Sequence, residues 1–184
     1  MGYEVAVNKA WDNYILAGAE KLAQVKLLND KYSVDIEARK ILSFSCNVPA
    51  KDYTAIIILH YLKSKLQGLL DDTSGQWLDF RELSGVEGYQ SAFRQRVIER
   101  VIKKFGGNPQ GLLAVLERFP GKVSRQADAA IILEVFEKVP VLIQLWKGDE
   151  EFAPEANVLF DKSITKIFCT EDIVVLAEFI VHQL

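Results

Sequence analysis

The sequence predicts an α+β domain in which a mainly antiparallel sheet packs with several helices, and three observations carry that prediction. Apolar residues recur at helical spacing early and late in the chain, while the middle holds paired β-branched runs separated by short turn signals. The length, 184 residues with 49% hydrophobic side chains, suits a single domain with a substantial core. Helices grouped around hairpins, rather than alternating strictly with strands, favour α+β over a parallel α/β sheet.

From residue 8 to about residue 28, Trp11, Ile15, Leu16, Ala19, Leu22, Ala23 and Leu27 recur at helical spacing, with Glu20, Lys21 and Lys26 turned away. The spacing predicts an amphipathic helix ended by Asn29 and Asp30. Residues 32–36 and 40–44 are rich in β-branched and aromatic side chains and read as a hairpin turning over 37–39. Pro49 suits the first turn of a helix, where its missing N–H costs nothing, and residues 50–69 form an almost wholly apolar central helix. Residues 71–75 are turn-rich, and 77–80 make a short strand leading to Arg81 and Glu82.

Ser84 and Glu87 have capping-box spacing ahead of a helix over 87–105, which places Phe93, Val97, Ile98, Val101, Ile102 and Phe105 on one side. Arg94, Arg96, Arg100, Lys103 and Lys104 make the other side basic, as either a solvated face or an anion-binding surface. Gly106 and Gly107 stop that helix; Asn108 and Pro109 open a shorter one to about residue 117, broken by Pro120 and Gly121. Residues 129–136 and 139–146 form a hairpin turning at Glu137 and Lys138, with Pro140 marking an edge or the first residues of its strand. Residues 158–160 add a strand, and Thr170 caps a last helix over 171–183 whose Glu171 and Asp172 suit the positive end of its dipole.

A net charge of −3 gives no bulk attraction to nucleic acid. The longest apolar runs, 55–59 and 129–133, fall far below the roughly 20 residues that span a bilayer, so no membrane association is expected. The opening residues lack the basic and apolar regions of a secretory signal, and Ala6 stands where myristoylation wants Ser or Thr, so a cytoplasmic protein is expected. Cys46 and Cys169 lie far apart outside any C-x-x-C pair and cannot alone hold zinc or an iron–sulfur cluster; two reduced, largely buried thiols are expected.

Chemistry concentrates between Trp146 and Asp161. Asp149, Glu150, Glu151, Glu155 and Asp161 are the densest supply of carboxylates, flanked by Trp146 and Phe152, and a carboxyl buried beside an aromatic ring titrates high. In water the same cluster is a hydrated corner, and Asp149 or Asp161 is equally suited to capping a turn. The spacing does not match an EF-hand, and two histidines, His60 and His182, exclude a multi-histidine metal site. His60 in its apolar helix reads as a core histidine satisfied by a backbone group, with axial ligation of haem or a corrinoid the less common role. Arg81 offers a guanidinium fork for an anion or for a bridge between layers. The nucleophile-elbow, Walker and dinucleotide signatures are missing.

Residues 146–152 (WKGDEEF), 159–161 (LFD), 170–172 (TED) and 75–83 (GQWLDFREL) resemble a family of bacterial and archaeal domains of unknown function typical of anaerobes. Some of its members are described as iron–sulfur proteins through an additional cysteine-rich segment, which this chain lacks. The resemblance implies a prokaryotic protein accessory to anaerobic cofactor or one-carbon (corrinoid) metabolism. The residues themselves support a non-catalytic module binding a small molecule or corrinoid-type cofactor, its pocket walled by Trp77, Phe80, Trp146 and Phe152 and oriented by Arg81, Asp149 and Glu151. A hydrolase or lyase using two of Asp149, Glu150, Glu151 and Asp161 as acid and base is the alternative. A third reading is a protein adaptor using the strand near Pro140 as an edge.

Overall fold

In the computed structural model, which describes residues 3–70 and 72–184, helix α1 (Glu4–Leu16) buries Ala10, Trp11 and Tyr14. The helix expected to reach residue 28 ends at Leu16 because Gly18, at φ +88°, takes a left-handed conformation open to glycine and turns the chain. Strand β1 (Leu22–Leu27) follows. Ala23, Val25 and Leu27 satisfy an alternating pattern as well as a helical one, and burial of Val25 and Leu27 with cross-strand pairing decides for the strand.

The expected hairpin forms as β2 (Asp30–Asp35) and β3 (Lys40–Ser43), and β1 extends it to an antiparallel sheet of order β1-β2-β3. Pro49 makes a single bridge to Leu42, so α2 (Asp52–Leu66) begins beyond it and not on it. Tyr61 of α2 stacks on Phe136 at 4.3 Å.

The second sheet has five strands in the order β4-β8-β7-β6-β5: β4 (Trp77–Asp79), β5 (Gly121–Ser124), β6 (Ala129–Phe136), β7 (Val139–Trp146) and β8 (Glu155–Asp161). Every pairing is antiparallel. The predicted break at Pro120 and Gly121 proves to be the start of β5, where a Cβ on Gly121 would collide with the Ile132 carbonyl oxygen. Pro140 is the second residue of the central strand β7, so it marks a strand start and not an edge.

The helix expected over 87–105 begins at Gln90 and runs through α3 (Gln90–Phe93), a π turn (Arg94–Ile98) and α4 (Glu99–Phe105). No capping box forms at Ser84 and Glu87. One forms instead at Asp79 and Glu82 around a 3-10 turn, Phe80–Glu82. Helix α5 (Pro109–Ala114) and a 3-10 turn (Val115–Glu117) match the expected short helix. After α6 (Ile164–Ile167), the last helix α7 (Thr170–Gln183) has Cys169 as its N-cap, and the Thr170 hydroxyl donates to the Ser84 carbonyl at 2.7 Å.

One hydrophobic cluster joins the two sheets and the helices, from Trp11 through Ile58, Phe93 and Ile143 to Ile180. The Leu28 N–H donates to the Val135 carbonyl at 2.7 Å and ties the small sheet to β6 beside a register shift between Glu134 and Phe136. Among the described residues, no helix is long and apolar enough to cross a membrane.

Candidate functional site

The residues D-F-R-E at 79–82 stop strand β4 after three residues. The Asp79 carboxylate accepts the Arg81 N–H at 2.9 Å and the Glu82 carboxylate accepts the Asp79 N–H at 2.7 Å, which swings the chain out of the sheet. Strand β8 is longer. Its residues Leu159, Phe160 and Asp161 pair with β4, while Ala156 to Val158 pair only with β7 on their other side.

A cavity of about 530 Å³ fills the resulting notch. Its walls are Ala156, Asn157 and Val158 of β8 and the apolar side chains of Phe80, Phe93, Ile98 and Ile102, with a rim of Asp79, Arg81, Gln90, Arg94 and Glu155. Phe80 and Phe93 stack in parallel at 3.9 Å, and Phe93 meets Phe160 edge-on at 6.3 Å, so the apolar wall is held from below by the core. The π turn brings Arg94 and Ile98 to the same cavity; such turns often interrupt helices at functional sites. Arg81 is forked to Asp79 at 2.9 and 3.1 Å, and that guanidinium holds the Asp79 carboxyl below its ordinary value.

The residues expected to share one pocket are distributed differently. Phe80 and Arg81 line the cavity. Asp149, Glu151 and Phe152 line a separate shallow depression with Gly106, Gly107 and Pro154. Trp77 pairs with Asp161 at one end of β8 and Trp146 with Glu155 at the other, so the backbones of the two tryptophans stand roughly 20 Å apart along the sheet. They cannot wall one pocket. Phe152 is 70% exposed and anchors nothing.

The carboxylates do not converge. Asp149 accepts the N–H groups of Glu151 and Phe152, both at 2.8 Å, and those two bonds hold its carboxyl below the ordinary range in a solvated turn. Asp161, 1% exposed at the far end of β8, accepts from the Ser74, Gly75 and Ser163 N–H groups and the Ser74 and Ser163 hydroxyls. Burial pushes its carboxyl up, but these hydrogen bonds outweigh burial and hold it low. It is a structural clamp for the loop before β4.

His60 meets a carboxylate and not a backbone group: its Nδ1 lies 2.7 Å from Asp172 Oδ2, linking α2 to α7. Both cysteines are exposed, against expectation, although partial burial pushes the Cys169 thiol up to about 11. Among the described residues, no three His, Cys, Asp or Glu side chains gather in a group that could hold a metal ion.

Sequence reasoning missed Phe93, Ile98 and Ile102 as cavity residues because it assigned them to a core-facing stripe, and it missed Ala156 to Val158 because no residue type marks where a strand will lack a neighbour. The legible signal was D-x-x-E at 79–82, whose capping-box spacing ends a strand.

Fold and site together define a small α+β domain built on two antiparallel sheets, with a cavity at an interrupted sheet edge. The family model described as a domain of unknown function, DUF3786, matches residues 13–183, and the chain belongs to that family. Comparison with curated proteins and with solved structures gave no match.

Proposed function

We propose that the protein is a non-catalytic binding module that takes a small organic ligand into the cavity between the open edge of β8 and the helix of Gln90 to Phe105. The observation that carries this reading is the cavity itself. About 530 Å³ lies within the range of about 300–1,000 Å³ common to ligand sites, with a stacked aromatic wall and a few polar groups at the rim. Of the expected site residues, Phe80 supplies apolar contact and Arg81 a guanidinium at the mouth. The cavity lining includes no histidine or cysteine to reach the metal of a haem or corrinoid, so the ligand is proposed to be organic and not a metallocofactor.

The family resemblance suggests the setting: the cytoplasm of an anaerobic prokaryote and an accessory role in cofactor or one-carbon metabolism. A carboxylate hydrolase finds no support in a saturated Asp161 and a solvated Asp149, nor an edge adaptor at Pro140 in a strand that is central.

Methyl-labelled protein gives the test. A panel of small organic compounds, with nucleotides and flavins included, is expected to yield ligands that shift the Ile98 and Ile102 methyl signals and raise the melting temperature, while haems and corrinoids leave both unchanged. A panel that leaves those methyls unmoved would defeat the reading.

A further inference from the structure

Resting on the cavity just described, we infer that its ligand class is an extended peptide segment, bound by strand addition in the lane that β4 vacates. The backbone geometry carries this. The Lys162 N–H donates to the Gln76 carbonyl at 2.8 Å, which makes Gln76 and Lys162 a hydrogen-bonded pair of the β4–β8 ladder. Such pairs alternate along an antiparallel ladder, so Leu78 with Phe160 is the next, and the N–H and C=O of Val158 and Ala156 continue the row toward β4's lane. Beyond Asp79 no strand is there to meet them. Among the described residues, nothing pairs with that edge of β8. Two donors and two acceptors, at the spacing of a strand, therefore line the cavity without a backbone partner.

Charge complementarity points the same way. Arg81 and Arg94 at the rim are matched by Asp79 and Glu155, and both arginines are already paired, Arg81 with Asp79 and Arg94 with Glu99. The mouth presents no net charge to capture an anion or a cation, which suits a neutral amide chain. The alternation also fixes side-chain demands. In an antiparallel segment, the residues opposite Val158 and Ala156 turn toward Phe80, Phe93, Ile98 and Ile102, and the residue between them turns to the other face with Asn157. The ligand is an apolar–x–apolar tripeptide within a longer extended segment.

The test uses fluorescent pentapeptides with Val, Ile or Phe at the two apolar positions, titrated into the intact protein by polarisation. N-methylation at either apolar position removes a donor to β8 and is expected to weaken binding at least tenfold; methylation of the middle residue, whose N–H faces away, leaves it unchanged. Val158→Pro, which deletes an edge donor without touching the β7 ladder, is expected to give the same loss with the unmodified peptide. Binding indifferent to N-methylation at the apolar positions, or no binding by any of these peptides, overturns the inference. Small organic compounds that still shift the Ile98 and Ile102 methyls would then leave the broader binding reading standing, while silence from both panels removes the two together.

Discussion

Replacing Asp161 by asparagine tests whether one carboxylate holds the loop before β4 in place. In the wild type, Oδ1 accepts the Ser74 N–H at 3.0 Å, the Ser74 hydroxyl at 2.9 Å, and the Ser163 N–H and hydroxyl at 2.9 and 2.7 Å, while Oδ2 accepts the Gly75 N–H at 2.8 Å. Asparagine keeps the shape but must turn its NH₂ toward one of these donor sets. The gentler choice faces Gly75, which loses one charge-assisted bond and sets donor against donor. With about 1.5–3 kcal/mol for a hydrogen bond to a charged group and a further cost for the unsatisfied donor, the expected loss is about 2–4 kcal/mol. For a chain of this size that lowers the melting temperature by roughly 5–15 °C, read by circular dichroism, with the urea midpoint falling at constant slope.

The pH dependence adds a second readout. Asp161 titrates below its ordinary value of 3.8 in the folded state, so between the two values the unfolded chain binds more protons. Its stabilisation is complete above the unfolded value and is lost as the pH falls through the folded one. The gap between wild type and D161N should therefore be widest at neutral pH and close below about pH 4. Asp30 is also held low, with burial raising it and bonds from Ser43 and Ser45 lowering it more, so the variant keeps part of the acid limb. A D161N protein melting within a degree or two of wild type, at every pH, would refute the clamp.

Phe93→Ala removes a ring that is 4% exposed and stacked on Phe80, and should cost about 3–5 kcal/mol in urea unfolding while abolishing ligand shifts at Ile98. In Gly148→Ala, the new Cβ would stand 2.7 Å from Pro154 Cδ and 2.9 Å from the Phe152 carbonyl oxygen, so a loss of about 1–3 kcal/mol is expected from melting, with no change at the cavity. Because partial burial pushes the Cys169 thiol from 9.0 up to about 11, its alkylation at pH 8 in a Cys46→Ser protein should run about 10- to 100-fold slower folded than unfolded, measured by mass spectrometry.

The class and most elements were legible because long periodic stretches such as 129–136 and 139–146 state their conformation in residue type and spacing. Failures came where two periods coincide, as at Ala23, Val25 and Leu27, or where tertiary contact assigns a residue its role, as at Pro49 and Gly121. The candidate site was legible only in Phe80 and Arg81. Clustering of Trp146, Asp149 and Glu151 along the chain suggested a pocket, but Asp149 and Glu151 fall in the exposed turn after β7, while β8 separates the partners of Trp77 and Trp146 by six residues at about 3.3 Å each. A strand edge without a partner is a property of backbone that is absent, and no side-chain pattern records it.

The order β4-β8-β7-β6-β5 also constrains how the sheet is assembled. Strands β5 to β8 form a meander in which each neighbour follows directly in the chain, so they can zip from turn to turn. Strand β4 must wait for β8, which is made some 80 residues later, and its closure carries the larger loop entropy. Trp77 and Trp146 sit at the two ends of that process and report on it separately. In single-tryptophan proteins the Trp146 signal should reach its native value before the Trp77 signal during refolding, and simultaneous changes would mean that the outer strand docks with the meander in one step.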